Sequence, residues 1–277
     1  MQNKNLLKPQ WQKVDEMDDD DRPIGRILSR REALALLGAS GATALLSGCL
    51  PAGLGGEPAG GPGGEGSTDL SAIATTNATL PGGCVVRPEL TEGPVFVEED
   101  LNRSDIRTDP SNGSVSEGTQ FDLTFRVTQV AEGTCMPLAG VQVDVWHCNA
   151  EGIYSDTTEL GMQTVGQKFL RGYQITDENG LAHFTTIYPG WYEGRTVHIH
   201  VKMRTADGYD FTSQLFFDDA LTDQVFAQAP YNSRGERSLR NDNDGIYSQS
   251  GGQTTLAVSP VDAGYAAAFD VALDRSA

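Results

Sequence analysis

Beyond residue 48 this chain of 277 residues has only two lysines, Lys168 and Lys202. Basic and acidic residues cancel within 1–48, so the net charge of −18 falls on the remainder. Such a surface repels phosphate backbones, which argues against nucleic acid as a partner and against acidic polymers as substrates. No apolar run reaches the roughly 20 residues that a membrane-spanning helix needs. There is no internal repeat, and segments of helical period are few. Cysteine and histidine are scarce, at four each. Nothing in their spacing supports a cysteine–histidine metal site around His147.

What is present begins with a targeting pattern. Ser29-Arg30-Arg31-Glu32-Ala33-Leu34 carries twin arginines, and the Ala- and Gly-rich apolar run from Ala33 to Leu46 follows. Together they read as a signal for export of a folded protein by the twin-arginine (Tat) route. Leu46-Ser47-Gly48-Cys49 closes the run like a bacterial lipobox, with Cys49 as the lipidated residue; a plain cleaved signal with a chance cysteine is the alternative. Residues 49–80 are rich in Gly, Pro, Ser and Ala without hydrophobic period and read as a flexible tether. The expected division is therefore a 1–48 signal, a 49–80 tether and one 81–277 domain, about 200 residues, a comfortable single-domain size. The implied location is the outer side of a bacterial cytoplasmic membrane, held there by a lipid anchor. An exported chain can form a disulfide. Cys84, Cys135 and Cys148 allow one bridge and one leftover. A Cys135–Cys148 pair is the least favoured, and a bridge from Cys84 would staple the N-terminal arm to the sheet.

Phe121 to Val130 and Val141 to Trp146 alternate apolar and polar residues, the period of half-buried strands. Ala182–Ile187, Thr196–Met203 and Phe211–Phe217 are further strands, separated by Gly/Asp/Asn turns. Helix is expected only over Asp219–Gln228 and part of 261–273. Many short strands with such turns indicate an all-β fold: a β-sandwich of mostly antiparallel strands, with long loops and little helix. Trp146 reads as a core residue of that sandwich, and His147 and His183 as structural.

Four residues carry the chemistry. In Val197-His198-Ile199-His200-Val201 a strand sends His198 and His200 to one face and the valines and isoleucine to the other. Imidazoles roughly 7 Å apart at Cβ can converge on one metal ion. Tyr154 and Tyr192 lie in turn-like contexts, Glu151-Gly152-Ile153-Tyr154 and Pro189-Gly190-Trp191-Tyr192. Two phenolates with two imidazoles suit a hard trivalent ion, ferric iron above all. A buried polar histidine pair, or copper or zinc held by the two histidines alone, are the competing readings.

From about Cys84 to Asp219 the chain resembles the intradiol ring-cleavage dioxygenases, the protocatechuate and catechol dioxygenase family. Thr91-Glu92-Gly93-Pro94, Val143 to Tyr154, Thr176-Asp177-Glu178-Asn179-Gly180, Tyr188 to Tyr192, Arg195 to His200 and Thr212 to Phe217 occur in the family's order. The resemblance implies a β-sandwich and a ferric ion (Fe3+) on Tyr154, Tyr192, His198 and His200. Arg195 and Gln214 match its active-site arginine and glutamine, and Gly93 and Pro94 would shape a pocket wall. It also implies Tyr192 as the displaceable ligand, a small aromatic diol and O2 as substrates, and a cis,cis-muconate-type diacid as product. Val95-Phe96 departs from the family, which usually has a tyrosine there, near the substrate. The alternative from a different class is a catalytically inactive, membrane-tethered β-sandwich binding module of the same ancestry. Loss of any of the four donors would favour it, and none is lost.

Overall fold

The structure, a computed structural model, describes residues 84–131 and 134–274. Arg30, Arg31, Cys49 and the tether lie outside the described residues. Nine strands follow one another: β1 (Gln120–Ala131), β2 (Thr134–Pro137), β3 (Gln142–Trp146), β4 (Arg171–Ile175), β5 (Leu181–Ile187), β6 (His198–Arg204), β7 (Asp210–Phe216), β8 (Ser259–Val261) and β9 (Gly264–Leu273). Among the described residues there are also two short α-helices, α1 (Asp219–Phe226) and α2 (Gly245–Ser250). Asp218 caps α1 by accepting from the Ala220 and Leu221 amides, a standard N-terminal stop.

The strands form two sheets. One runs β2-β1-β9-β8, with β5 also paired to β1; the other runs β4-β3-β6-β7. Alternation explains the core between them. Phe121, Leu123, Phe125 and Val127 of β1 meet Val143 and Val145 of β3, Ile199, Val201 and Met203 of β6 and Leu215 of β7 in one buried cluster. The all-β sandwich is as expected, and every neighbouring pair is antiparallel except β1–β9, which is parallel from Gln120↔Gly264 to Gln129↔Leu273.

That pair corrects the helix expected within 261–273. Tyr265-Ala266-Ala267-Ala268-Phe269 is alanine-rich, and alanine favours helix by propensity. Here Ala266 to Phe269 are buried and the run pairs along β1, so tertiary pairing overrides propensity. The short strands β2, β4 and β8 also escaped the sequence pattern. Cys84 bridges Cys135 with Cα atoms 5.3 Å apart, tying the N-terminal arm to β2, while Cys148 is free and buried.

The four-stranded sheet turns its other face away from this core. Cross-strand register aligns Arg171 of β4, Trp146 of β3, His200 of β6 and Gln214 of β7 on one rung. All four are buried. The N-terminal arm covers this face: the Leu90 amide donates to Thr212 O, and Glu92 and Glu98 pair with Lys202 and Arg204. Trp146 is thus a correction. It shares the face of Asp144, not that of Val145, and belongs to a second cluster with Val95, Cys148 and Tyr154.

Candidate metal centre

His198 and His200 come from consecutive same-face positions of β6, as the alternation requires. Tyr154 and Tyr192 come from two loops whose backbones touch. The Gly152 and Gly190 amides both donate to Asn149 O. A Cβ on Gly152 would stand 2.0 Å from Trp191 O, and one on Gly190 2.4 Å from Asn149 O. Only glycine allows that approach, which is why each tyrosine follows a glycine by two residues. Tyr154 is pinned further: its amide donates to Met162 Sδ at 3.1 Å and its carbonyl accepts from Thr164 Oγ1 at 2.7 Å.

The four polar tips converge. Tyr154 Oη lies 3.3 Å from His198 Nε2 and 3.1 Å from His200 Nε2. The two Nε2 atoms are 3.1 Å apart, and Tyr192 Oη is 3.4 Å from His198 Nε2. His198 Nδ1 donates to Thr196 O at 2.7 Å, which leaves the lone pair on Nε2. His200 Nδ1 is buried with no hydrogen-bond partner among the described residues. Burial lowers both imidazoles, His198 to about 3 with help from the Arg195 charge, and His200 well below its ordinary value. Burial also pushes the Tyr154 phenol well above its ordinary value. Without a cation these are neutral imidazoles and a protonated phenol; a bound metal ion inverts that logic for the phenol.

This donor set fits a metal ion. Bonds of about 2.0–2.1 Å at angles of 90–110° separate neighbouring donors by about 2.9–3.4 Å, the range seen here. Among the described residues no three His, Cys, Asp or Glu side chains converge as a metal cluster, so the set depends on its two phenols. Phenol oxygen with imidazole suits a hard, highly charged ion better than a soft one.

Around the donors, Trp146 stacks on His200 with ring centroids 4.9 Å apart and planes 9° from parallel. Phe96 lies 4.9 Å from Trp146. A Cβ on Gly93 would stand 3.3 Å from His200 Cε1, so the Gly93 turn lies against that imidazole, while Pro94 beside it is exposed. Gln214 accepts from Arg195 Nη2 at 2.7 Å and donates to Thr91 O at 2.9 Å. Arg195 Nε donates to Asp244 Oδ2 at 2.9 Å. Although burial raises the Asp244 carboxyl, Arg195 and backbone donors hold it below its ordinary value. Sequence reasoning missed Asp244, Trp146 and Met162 as neighbours of the donors. Parity with Asp144 was a usable signal for Trp146, whereas Asp244 and Met162 carried none. His147 is structural, bonded to Cys148 O and Thr186 Oγ1. His183 is an exposed position of β5, with Nδ1 3.0 Å from Thr124 Oγ1.

Comparisons with known proteins agree with this geometry. Residues 91–273 match a family model described as Dioxygenase. The catechol 1,2-dioxygenase of Acinetobacter baylyi is 34% identical over 186 residues, 57% of this chain and 53% of that protein. The chain thus spans about half the length of this curated relative. An intradiol ring-cleavage dioxygenase from Tetranychus urticae superposes with a TM-score of 0.63 at 29% identity, covering 70% of this chain and 97% of that one. The structure of dioxygenase Tetur07g02040 gives a TM-score of 0.62 at 29% identity over 70% and 96%. With this family match spanning the two sheets and all four converging donors, the chain belongs to the intradiol dioxygenase family.

Proposed function

We propose that the protein is a non-haem ferric dioxygenase that opens the ring of a catechol with O2 to a cis,cis-muconate-type diacid. The observation that carries this reading is the convergence of four donor tips: Tyr154 Oη, His198 Nε2 and His200 Nε2 lie 3.1–3.3 Å from one another, and Tyr192 Oη lies 3.4 Å from His198 Nε2. These four would hold the iron. When bound, it would draw electron density from a chelated catecholate, so that a ring carbon becomes reactive toward O2. Both oxygen atoms enter the product, so no reductant is consumed.

The side chains divide the remaining work. Tyr154 is fully buried and pinned through its backbone, whereas Tyr192 is half-buried on the loop after Gly190. Tyr192 would therefore be the donor free to move aside as substrate enters, and its oxygen would take one of the catechol's hydroxyl protons. Arg195 and Gln214 stabilise charge that develops on the substrate ring and oxygens, a preorganised electrostatic role. Val95, Phe96 and Trp146 make the wall beside His200 apolar, as a flat aromatic substrate requires.

The export reading completes the proposal: Arg30-Arg31 direct export, Cys49 carries lipid, and residues 49–80 tether the domain to the outer side of the cytoplasmic membrane. Iron loaded in the cytoplasm would then cross with the folded domain.

The test is oxygen uptake by iron-loaded protein on a panel of catechols. The expected result is O2 consumed equimolar with a diacid product. Iron-loaded protein that consumes no O2 with any catechol would overturn the reading.

A further inference from the structure

Asp244 precedes α2 and is 1% exposed. Its four accepted hydrogen bonds use both carboxylate oxygens. Oδ1 caps α2 by accepting from the Ile246 and Tyr247 amides at 2.8 and 2.9 Å. Oδ2 accepts from the Thr196 amide and from Arg195 Nε, both at 2.9 Å. A second contact locks the same junction: Thr196 Oγ1 donates to Asn241 Oδ1 at 2.8 Å, and Asn241 Nδ2 donates to Phe217 O at 2.8 Å. The segment 241–247 is thereby fixed against the Arg195–Thr196 entry to β6.

Arg195 is held at two of its three nitrogens, Nε by Asp244 and Nη2 by Gln214. Gln214 is itself held by Thr91 O and is the register partner of His200. Two fixed points set the plane of a guanidinium. They leave Nη1 as the nitrogen with no hydrogen bond to the described residues. A guanidinium held only by Gln214 could rotate about its long side chain, so the second fixed point decides where Nη1 points.

From this geometry we propose that Asp244 is the positioning residue of the reaction: it orients Arg195 so that Nη1 meets the charge developing on the substrate. Asp244 itself touches neither substrate nor the four donors. The inference rests on the ring-cleaving reading of the same site. Groups that orient a functional side chain typically contribute about 10- to 100-fold when removed.

The test is a double-mutant cycle in turnover on iron-loaded protein. Asp244→Asn preserves size and one acceptor but places an amide against Arg195 or against the cap. It is expected to lower kcat about 10- to 100-fold, to leave KM for catechol within about threefold, and to retain iron and its colour. In an Arg195→Ala background the same substitution should cost nothing further. Asp244→Ser, which still caps α2 but cannot reach Arg195 as the carboxylate does, should behave alike and serves if the asparagine variant fails to fold. Turnover within twofold of the parent would overturn the proposal. So would a loss repeated in full without Arg195, since that is a merely structural effect. Loss of iron from either variant would also overturn it, assigning Asp244 to holding β6 instead. A parent that binds iron but opens no catechol defeats the ring-cleaving reading, which separates the two failures.

Discussion

Trp146 lies flat on His200, ring planes 9° apart and centroids 4.9 Å apart, as cross-strand partners on β3 and β6. Both side chains are buried on the outer face of the four-stranded sheet. The indole therefore sets the direction of an imidazole whose Nδ1 has no hydrogen bond to the described residues. For His198 the Thr196 carbonyl performs that task.

Replacing Trp146 by Ala should remove this support and open a cavity. The expected cost is about 3–5 kcal/mol in chemical denaturation, together with weaker iron retention against a chelator. Trp146→Phe, which keeps an aromatic face, should recover most of the iron retention. Equal retention in the alanine variant would show that the stacking does not orient His200.

Arg195→Ala should slow catechol turnover by about 10²–10³ while catechol affinity changes little. The charge it meets forms only as O2 reacts, so its loss belongs in kcat. The variant also strands buried Asp244 without its cation, which should lower stability by about 3–5 kcal/mol. The colour of the iron-loaded protein is the control, because Arg195 is not among the four donors. Near-normal turnover on every catechol the parent opens would reduce Arg195 to a structural residue.

Burial lowers His147 from 6.5 to about 4. Between these values the unfolded chain binds a proton that the folded chain refuses. Stability therefore falls as pH drops from above 6.5 toward 4, by about 3 kcal/mol from this residue. His147→Gln should flatten that part of the stability–pH curve in denaturant titrations. An unchanged slope would place the proton uptake elsewhere.

The Cys84–Cys135 bridge joins residues 51 apart in sequence. Closing a loop of that length stabilises a fold by about 4 kcal/mol in the chain-entropy account. Cys84→Ser should lose most of this in denaturation and free the arm that covers His200 and Gln214. A loss confined to a few tenths of a kcal/mol would mean that the arm's other contacts, among them Leu90–Thr212, Glu92–Lys202 and Glu98–Arg204, hold it without the bridge.

Much of this is legible in the sequence. Alternation marked β1, β3 and the start of β6, because each buries one face in the sandwich. His198 and His200 share one face by the same alternation, and the resemblance to the family singled out Tyr154 and Tyr192 as their partners. Three things were not legible. β9 has an alanine-rich run that pattern assigns to helix, and only its ten-residue register with β1 decides otherwise. Trp146 reads as a residue of the sandwich core from the sequence, yet its parity with Asp144 places it on the other face. Asp244 lies in Asn241-Asp242-Asn243-Asp244-Gly245, which reads as an ordinary turn, and only folding brings it to Arg195.

Export is tested by substitutions before the domain. Arg30→Lys with Arg31→Lys should leave the protein in the cytoplasm, and Cys49→Ser should release it from the membrane fraction, because two acyl chains suffice for stable anchoring. Unchanged fractionation of either variant would count against the corresponding step.

Metal content and visible spectrum, measured together on protein purified without added metal or chelator, test the central claim most directly. The account predicts iron equimolar with protein and a red-brown colour from phenolate-to-iron charge transfer, weakened by Tyr154→Phe or Tyr192→Phe. Full occupancy by copper or zinc, or equimolar iron without that colour, would contradict it.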